Sequence, residues 1–185
     1  MRIIAGKLGG QNFTSPQGNV THPMSDKIRG ALFNILGDIK GLSVLDAFAG
    51  SGALSFEAIS RGAAYVVAID SDMNANKAII TNAKTLRLTT NQLKVVQANC
   101  FTWSSHNVET LFDIVIVDPP YESKRLNHRH VFKMFDNVKV GGLFVASLPP
   151  GDQKADYYAS QMNNIEELVR KNYGDAQLVF YRRIA

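Results

Sequence analysis

The chain has 185 residues, a formal net charge of +4, 45% hydrophobic and 19% charged residues, and one cysteine. That length bounds it to one domain with at most a small appendage, and the composition is that of a globular chain rather than a disordered or fibrous one. A lone Cys100 excludes an internal disulfide and a cysteine-rich metal site; no apolar run reaches membrane-spanning length or the core of a signal peptide, so a reducing, cytoplasmic setting is expected.

The charge is unevenly spread. Residues 1–40 carry five basic and two acidic side chains, residues 41–120 five and seven, and residues 121–185 ten and seven. Both ends favour a polyanion and the middle does not, which points to nucleic acid as a partner or to a surface kept slightly basic for solubility.

In chain order, RIIAG and QNFTS are short strand candidates around Gly9-Gly10, followed by a loop, GNVTHP. A helix is predicted from about Ser25, capped by Ser25 or Asp26, with Ile28, Leu32, Phe33, Ile35 and Leu36 as its apolar stripe. From residue 42 the rhythm is regular: LSVLDAF, AYVVAID, LKVVQA, FDIVIVD and GLFVASL are apolar runs separated by helix-like stretches. Continuous Val, Ile and Leu runs are what strands buried on both faces require, so a doubly wound, mostly parallel α/β sheet is predicted. The tail differs. IEELVRKNYG and AQLVFYRRI flank Gly174-Asp175 and predict an antiparallel hairpin.

Ligands of such sheets bind beyond the carboxyl ends of the strands. The first strand ends in DAFAGSG, with Gly50 and Gly52 where a tight turn and close ligand approach are needed, and with Ser55 in the third small position of the dinucleotide fingerprint. Asp46 would repel a pyrophosphate but suits an amine-bearing ligand. Asp70 ends the second strand 20 residues beyond Gly50, where a carboxylate accepts from ribose hydroxyls, although it could also cap the next helix. An amino-acid nucleoside without phosphates, S-adenosylmethionine, satisfies both acids. Asn99 ends the third strand and could meet an adenine edge; Cys100 beside it has no adjacent histidine to activate it.

The fourth strand runs into Asp118-Pro119-Pro120-Tyr121. The lone pair of a nucleobase amine is delocalised into its ring, so an enzyme that methylates it must hold the N–H groups and aim the nitrogen. Asp118 offers a carboxylate acceptor, and Pro120 restricts Pro119 to extended geometry so that its carbonyl is a second acceptor of fixed direction. Tyr121 offers a stacking face, worth about 1–3 kcal/mol in single-strand complexes. Alternatively these residues only end a strand. No metal is expected, because His128 and His130 have no ligand spacing.

With these stretches in view, the chain resembles class I S-adenosylmethionine-dependent methyltransferases, and among them the bacterial 16S rRNA (guanine-N2) methyltransferase family. RIIAGKLGG, HPMSDKIRGALFNIL, VLDAFAGSGALSFEAISRGA and FDIVIVDPPY carry the resemblance. It implies a seven-stranded Rossmann-like methyltransferase sheet ending in the hairpin over residues 41–185, with residues 1–40 as a small hairpin-and-helix extension. It implies that Asp46, Ala49, Gly50, Gly52 and Asp70 bind the cofactor near Asn99, with Phe48, Ser51, Ser71 and Cys100 beside them. Asp118, Pro119, Pro120 and Tyr121 would form the base pocket, and Ser25, Asp26 and Arg29 would border cofactor and RNA. The RNA-binding candidates are Arg2, Lys7, His22, Arg29, Lys124, Arg125 and Arg129. His22 stands where the family has Arg, Leu8-Gly9-Gly10 replaces its basic-aromatic string, and Tyr121 replaces a common Phe. The partner implied is ribosomal RNA or an assembling small subunit, met by a monomer away from membranes. Rival readings are a DNA adenine-N6 methyltransferase, a protein glutamine-amide methyltransferase and a nucleotide-binding Rossmann module. The short chain, Asp118 in place of Asn, and Ser55 together with the DPPY stretch disfavour them in turn.

Overall fold

A computed structural model describes residues 1–16, 24–120 and 127–185. Seven strands form one mixed sheet in the order β3-β2-β1-β4-β5-β7-β6, and the chain divides into two compact units, Met1–Cys100 and Phe101–Ala185. The predicted α/β class, the seven strands and the closing antiparallel hairpin are all present.

In the first unit, β1 (Ser43–Asp46), β2 (Tyr65–Asp70) and β3 (Leu93–Gln97) are parallel. Val44 and Leu45 of β1 and Val66, Val67, Ala68 and Ile69 of β2 are buried, as their unbroken apolar runs require. Helix α1 (Asp26–Leu36) is capped by Ser25, whose hydroxyl accepts the Ile28 N–H at 3.3 Å, so the first of the two predicted caps is the one used. Helix α2 (Ala53–Ser60) is buried along its whole length, and α3 (Met73–Thr85) buries Ala75, Asn76, Ile79 and Asn82.

The N-terminal stretch forms the predicted hairpin in shortened form. Its pairing is reduced to a single antiparallel bridge, Arg2 to Asn12, with backbone bonds from Gly10 to Ile3 and from Ile3 to Gln11. The reason lies in where the next N–H groups go. Those of Ile4 and Ala5 donate to the Glu57 carboxylate and that of Lys7 to the Ser60 carbonyl, so no ladder can continue.

In the second unit, helix α4 (Cys100–His106) leads to β4 (Phe112–Val117), which lies parallel to β5 (Val138–Leu148). β5 starts four residues before the predicted run. Its first part passes a register shift opposite Phe112 and Ile114, and Gly142 fits there because a Cβ would sit 2.8 Å from the Asp113 carbonyl oxygen. Helix α5 (His128–Lys133) and a 3₁₀ turn (Met134–Asn137) precede β5, and α6 (Gln153–Ser160) follows it. β6 (Ile165–Tyr173) and β7 (Ala176–Arg183) are joined by Gly174-Asp175 with Gly174 at φ 64°, a two-residue turn that fits the twist of the strands. Phe132, Phe135, Phe144 and Tyr181 pack with centroids 5.7–6.4 Å apart as the aromatic core of this unit. Among the described residues, no helix is long and apolar enough to cross a membrane.

Candidate functional site

At the end of β1 the chain turns through Ala47-Phe48-Ala49-Gly50-Ser51-Gly52 into α2. Gly50 (φ 50°) and Gly52 (φ 80°) both adopt the left-handed conformation. At Gly52 the need is double, because a Cβ would lie 2.8 Å from the Phe56 ring and 3.1 Å from Ile79. The turn is tied down by the Gly52 N–H on the Ala49 carbonyl at 2.6 Å and the Ala49 N–H on the Ile69 carbonyl at 2.9 Å.

Of the two acids named from the sequence, Asp70 bonds to the turn itself and Asp46 to the helix that follows it. Asp46 is buried and accepts the Ser55 hydroxyl at 2.6 Å, so the residue in the third fingerprint position reaches back to the acid. Asp70 accepts the Gly50 N–H at 2.7 Å through one oxygen and the Asp72 N–H at 2.9 Å through the other. It thereby links the loops that follow β1 and β2. Each oxygen spends one acceptor site on the protein and keeps another for a ligand hydroxyl. The helix cap considered for Asp70 belongs instead to Asp72, which accepts from Asn74 and Ala75 at the start of α3. Asn76 locks the same turn, donating to the carbonyls of Asp70 at 2.9 Å and Asp72 at 2.7 Å. Ser71 and Asn99 are exposed, Phe48 and Gly50 are half-buried, and Ala49, Ser51 and Cys100 are buried.

At the end of β4, within the second unit, Asp118 is half-buried, Pro119 is buried and Pro120 is exposed. β4 is among the driest parts of the molecule: Ile114, Val115, Ile116 and Val117 are each 1% exposed or less, and burying such a side chain contributes about 1.5–3 kcal/mol. This apolar setting pushes the Asp118 carboxyl above its ordinary value, and a hydrogen bond from the Ser147 hydroxyl draws it part of the way back. Ser147 is delivered by register, since Val117 pairs with Ala146 and the next residues are Asp118 and Ser147. Nothing in the sequence signalled Ser147. Further along the chain, His128 Nε2 lies 2.6 Å from Asp152, the cap of α6, and His130 packs against Phe101 at 5.5 Å, so both rings are engaged within the protein.

The RNA candidates divide. Lys7 and Arg129 are exposed, and Arg2 is exposed while pairing with Asp26 at 3.3 Å. Arg29 corrects the expectation. It is fully buried, and its guanidinium donates to the Arg2 carbonyl at 2.8 Å, the Asp26 carboxylate at 2.9 Å and the Met24 carbonyl at 3.4 Å, so it is part of the interior and no surface contact. His22, Tyr121, Lys124 and Arg125 lie outside the described residues.

Residues 1–182 match the model of a family described as "Conserved hypothetical protein 95". A Bacillus subtilis protein provisionally named as an rRNA methyltransferase, YlbH, is 36% identical over 128 residues, 68% of this chain and 70% of that protein. Ribosomal RNA small subunit methyltransferase D of Escherichia coli is 37% identical over 122 residues, 65% of this chain and 60% of its own length, so the match spans less than two thirds of that relative. Among solved structures, the E. coli protein yhhF, provisionally named a methyltransferase, superposes with a TM-score of 0.81 at 29% identity, covering 100% of this chain and 98% of that one.

Proposed function

The chain belongs to the conserved hypothetical protein 95 family, and we propose that it is a ribosomal RNA methyltransferase that moves a methyl group from S-adenosylmethionine to guanine N2 of the small-subunit (16S) RNA. The observation that carries this reading is the contrast between two strand ends. One offers a glycine turn tied to Asp70 and Asp46, and the other offers a carboxyl pushed upward by burial beside a rigid Pro-Pro pair. The named relatives that act on ribosomal RNA support it.

The first end suits the cofactor. At Gly50 a Cβ would meet nothing nearer than the Phe48 carbonyl oxygen at 4.0 Å, so the backbone there is open to a ligand, and Asp70 keeps acceptor capacity for ribose hydroxyls. Asp46 gives the neighbourhood a negative charge that favours a cationic amino-acid ligand over a pyrophosphate. Bound there, S-adenosylmethionine supplies an electrophilic methyl group on a sulfonium.

The second end suits the acceptor. The Asp118 carboxylate and the Pro119 carbonyl accept the two N–H groups of an exocyclic amine and turn its nitrogen lone pair outward. The amine becomes appreciably acidic only as the new N–C bond forms, so a carboxyl held above its ordinary value is well matched to take the proton late in the step. Most of the acceleration then comes from alignment and from desolvation of the amine. Tyr121 would supply the stacking face, and exposed Lys7, Arg2 and Arg129 would meet phosphates, with affinity that falls as salt rises. The enzyme acts as a monomer in the cytoplasm, on ribosomal RNA or on an assembling small subunit.

The test is methylation of small-subunit RNA and particles from cells lacking this protein, using a labelled methyl donor. Label recovered in 16S RNA as N2-methylguanosine is the expected result. Label in DNA adenine or in protein glutamine, or tight NADH binding with none for S-adenosylmethionine, would overturn the reading.

A further inference from the structure

Helix α2 carries a carboxylate that the cofactor reading does not use. Glu57 is fully buried in a helix otherwise rich in Ala, Leu, Phe and Ile. A buried charge without partners costs several kcal/mol, so its partners reveal what it is for. One oxygen accepts the Ile4 N–H at 2.8 Å and lies 3.8 Å from Arg29 Nε. The other accepts the Ala5 N–H at 3.1 Å and Arg61 Nε at 2.8 Å.

One turn further along α2, Ser60 completes the attachment. Its hydroxyl accepts the Leu8 N–H at 2.9 Å and donates to the Ala5 carbonyl at 2.5 Å, and its own carbonyl accepts the Lys7 N–H at 2.8 Å. Gly6 sits at φ 81°, where a Cβ would fall 2.0 Å from the Ser60 carbonyl oxygen, so the close approach requires glycine. Arg29, itself buried, extends the network to the Arg2 carbonyl and Asp26. Phe13 packs edge-on against Phe56 at 5.2 Å.

The same short helix holds the glycine turn. Ser55 binds Asp46, the Phe56 ring fills the space beneath Gly52, and Gly52 is the residue from which α2 starts. With Ser55 and Phe56 engaged beside the turn, and Glu57 and Ser60 engaged with the N-terminal segment, α2 has little freedom to shift without disturbing both.

We propose that residues 2–8 form a strap that fixes α2, and that Glu57 is the positioning residue through which the strap holds the 48–52 turn in its cofactor-binding shape. The proposal rests on the reading of that turn and Asp70 as the cofactor site. Glu57→Gln keeps the shape of the side chain but replaces one acceptor with a donor that faces N–H groups. A purely structural Glu57 would lower the melting temperature and leave the cofactor affinity of the folded protein unchanged.

The experiment is calorimetric titration with S-adenosylhomocysteine well below the melting temperature, on the full chain, for Glu57→Gln, Ser60→Ala and Asp70→Ala. The strap predicts a Kd raised about tenfold in Glu57→Gln and about threefold in Ser60→Ala, with the methyl-transfer rate at saturating cofactor within about twofold of the parent. An unchanged Kd in folded Glu57→Gln overturns it. Should that variant not fold, an unchanged Kd in Ser60→Ala overturns it equally. Weakened binding in Asp70→Ala beside unchanged binding in the other two sinks the strap alone, whereas unchanged binding in Asp70→Ala sinks the cofactor reading on which the strap depends.

Discussion

The loops after β1 and β2 and the end of β4 both present aspartates at strand ends, yet the protein treats them in opposite ways. Asp70 accepts two backbone N–H groups and is built into the turn, while Asp46 accepts a serine hydroxyl from the helix that follows it. Asp118 sits at the end of a dry strand, its carboxyl held above its ordinary value by burial and eased only partly by Ser147. A carboxylate whose oxygens are fixed by protein donors is a well-placed receptor for further hydroxyls. One whose ionisation is resisted is suited to taking up a proton. Under the proposed function, the difference would separate a site that holds a ligand from a site that handles an amine.

The largest effect that could break this division is at Asp118. Asp118→Ala is expected to lower methyl transfer by about 10²–10⁴-fold, the range for loss of a positioned acid or base, as read by single-turnover assays on 16S RNA. Next comes Asp70→Ala. Losing charged acceptors costs about 1.5–3 kcal/mol, which predicts a cofactor Kd raised roughly 10–100-fold with turnover at saturation little changed. Gly52→Ala places a methyl group against Phe56 at a positive φ, so a stability loss of about 1–2 kcal/mol or more is expected in denaturant titration.

A pH series sharpens the contrast from the other side. Because burial raises the folded Asp118 value above the unfolded one, the native state binds the proton more tightly. Stability from this group is therefore full below the ordinary carboxylate value and is lost as pH rises through the folded value. Asp118→Asn should remove that loss, giving a variant more stable than the parent at neutral pH, while parental activity rises with pH over the same window. The smallest effect is expected at Arg2→Ala. It removes an exposed ion pair with Asp26 and should change stability by about 0–1 kcal/mol.

The strands of both units were legible because strands covered on both faces read as unbroken apolar runs, and the closing hairpin because Gly174-Asp175 is a two-residue turn signal. The glycine turn and its two acids were legible through spacing. What escaped was whatever depended on partners distant in sequence. The N-terminal hairpin stays short, paired over residues 1–3 and 11–13, because Glu57, more than fifty residues on, takes the N–H groups a longer ladder would need. Arg29 reads as a surface cation in S-D-K-I-R, and only the fold shows it buried among the Arg2 carbonyl, Asp26 and Glu57. Ser147 lies in a run, GLFVASL, that gives no hint of its contact with Asp118, because strand register alone creates it.

The division between holding a ligand and handling an amine stands or falls on the cofactor affinity of an Asp118 variant. Calorimetric titration of Asp118→Asn with S-adenosylhomocysteine should give a Kd within about twofold of the parent, in a protein whose methyl transfer to 16S RNA is lost. Loss of cofactor binding in that variant, with the fold intact, would contradict the account.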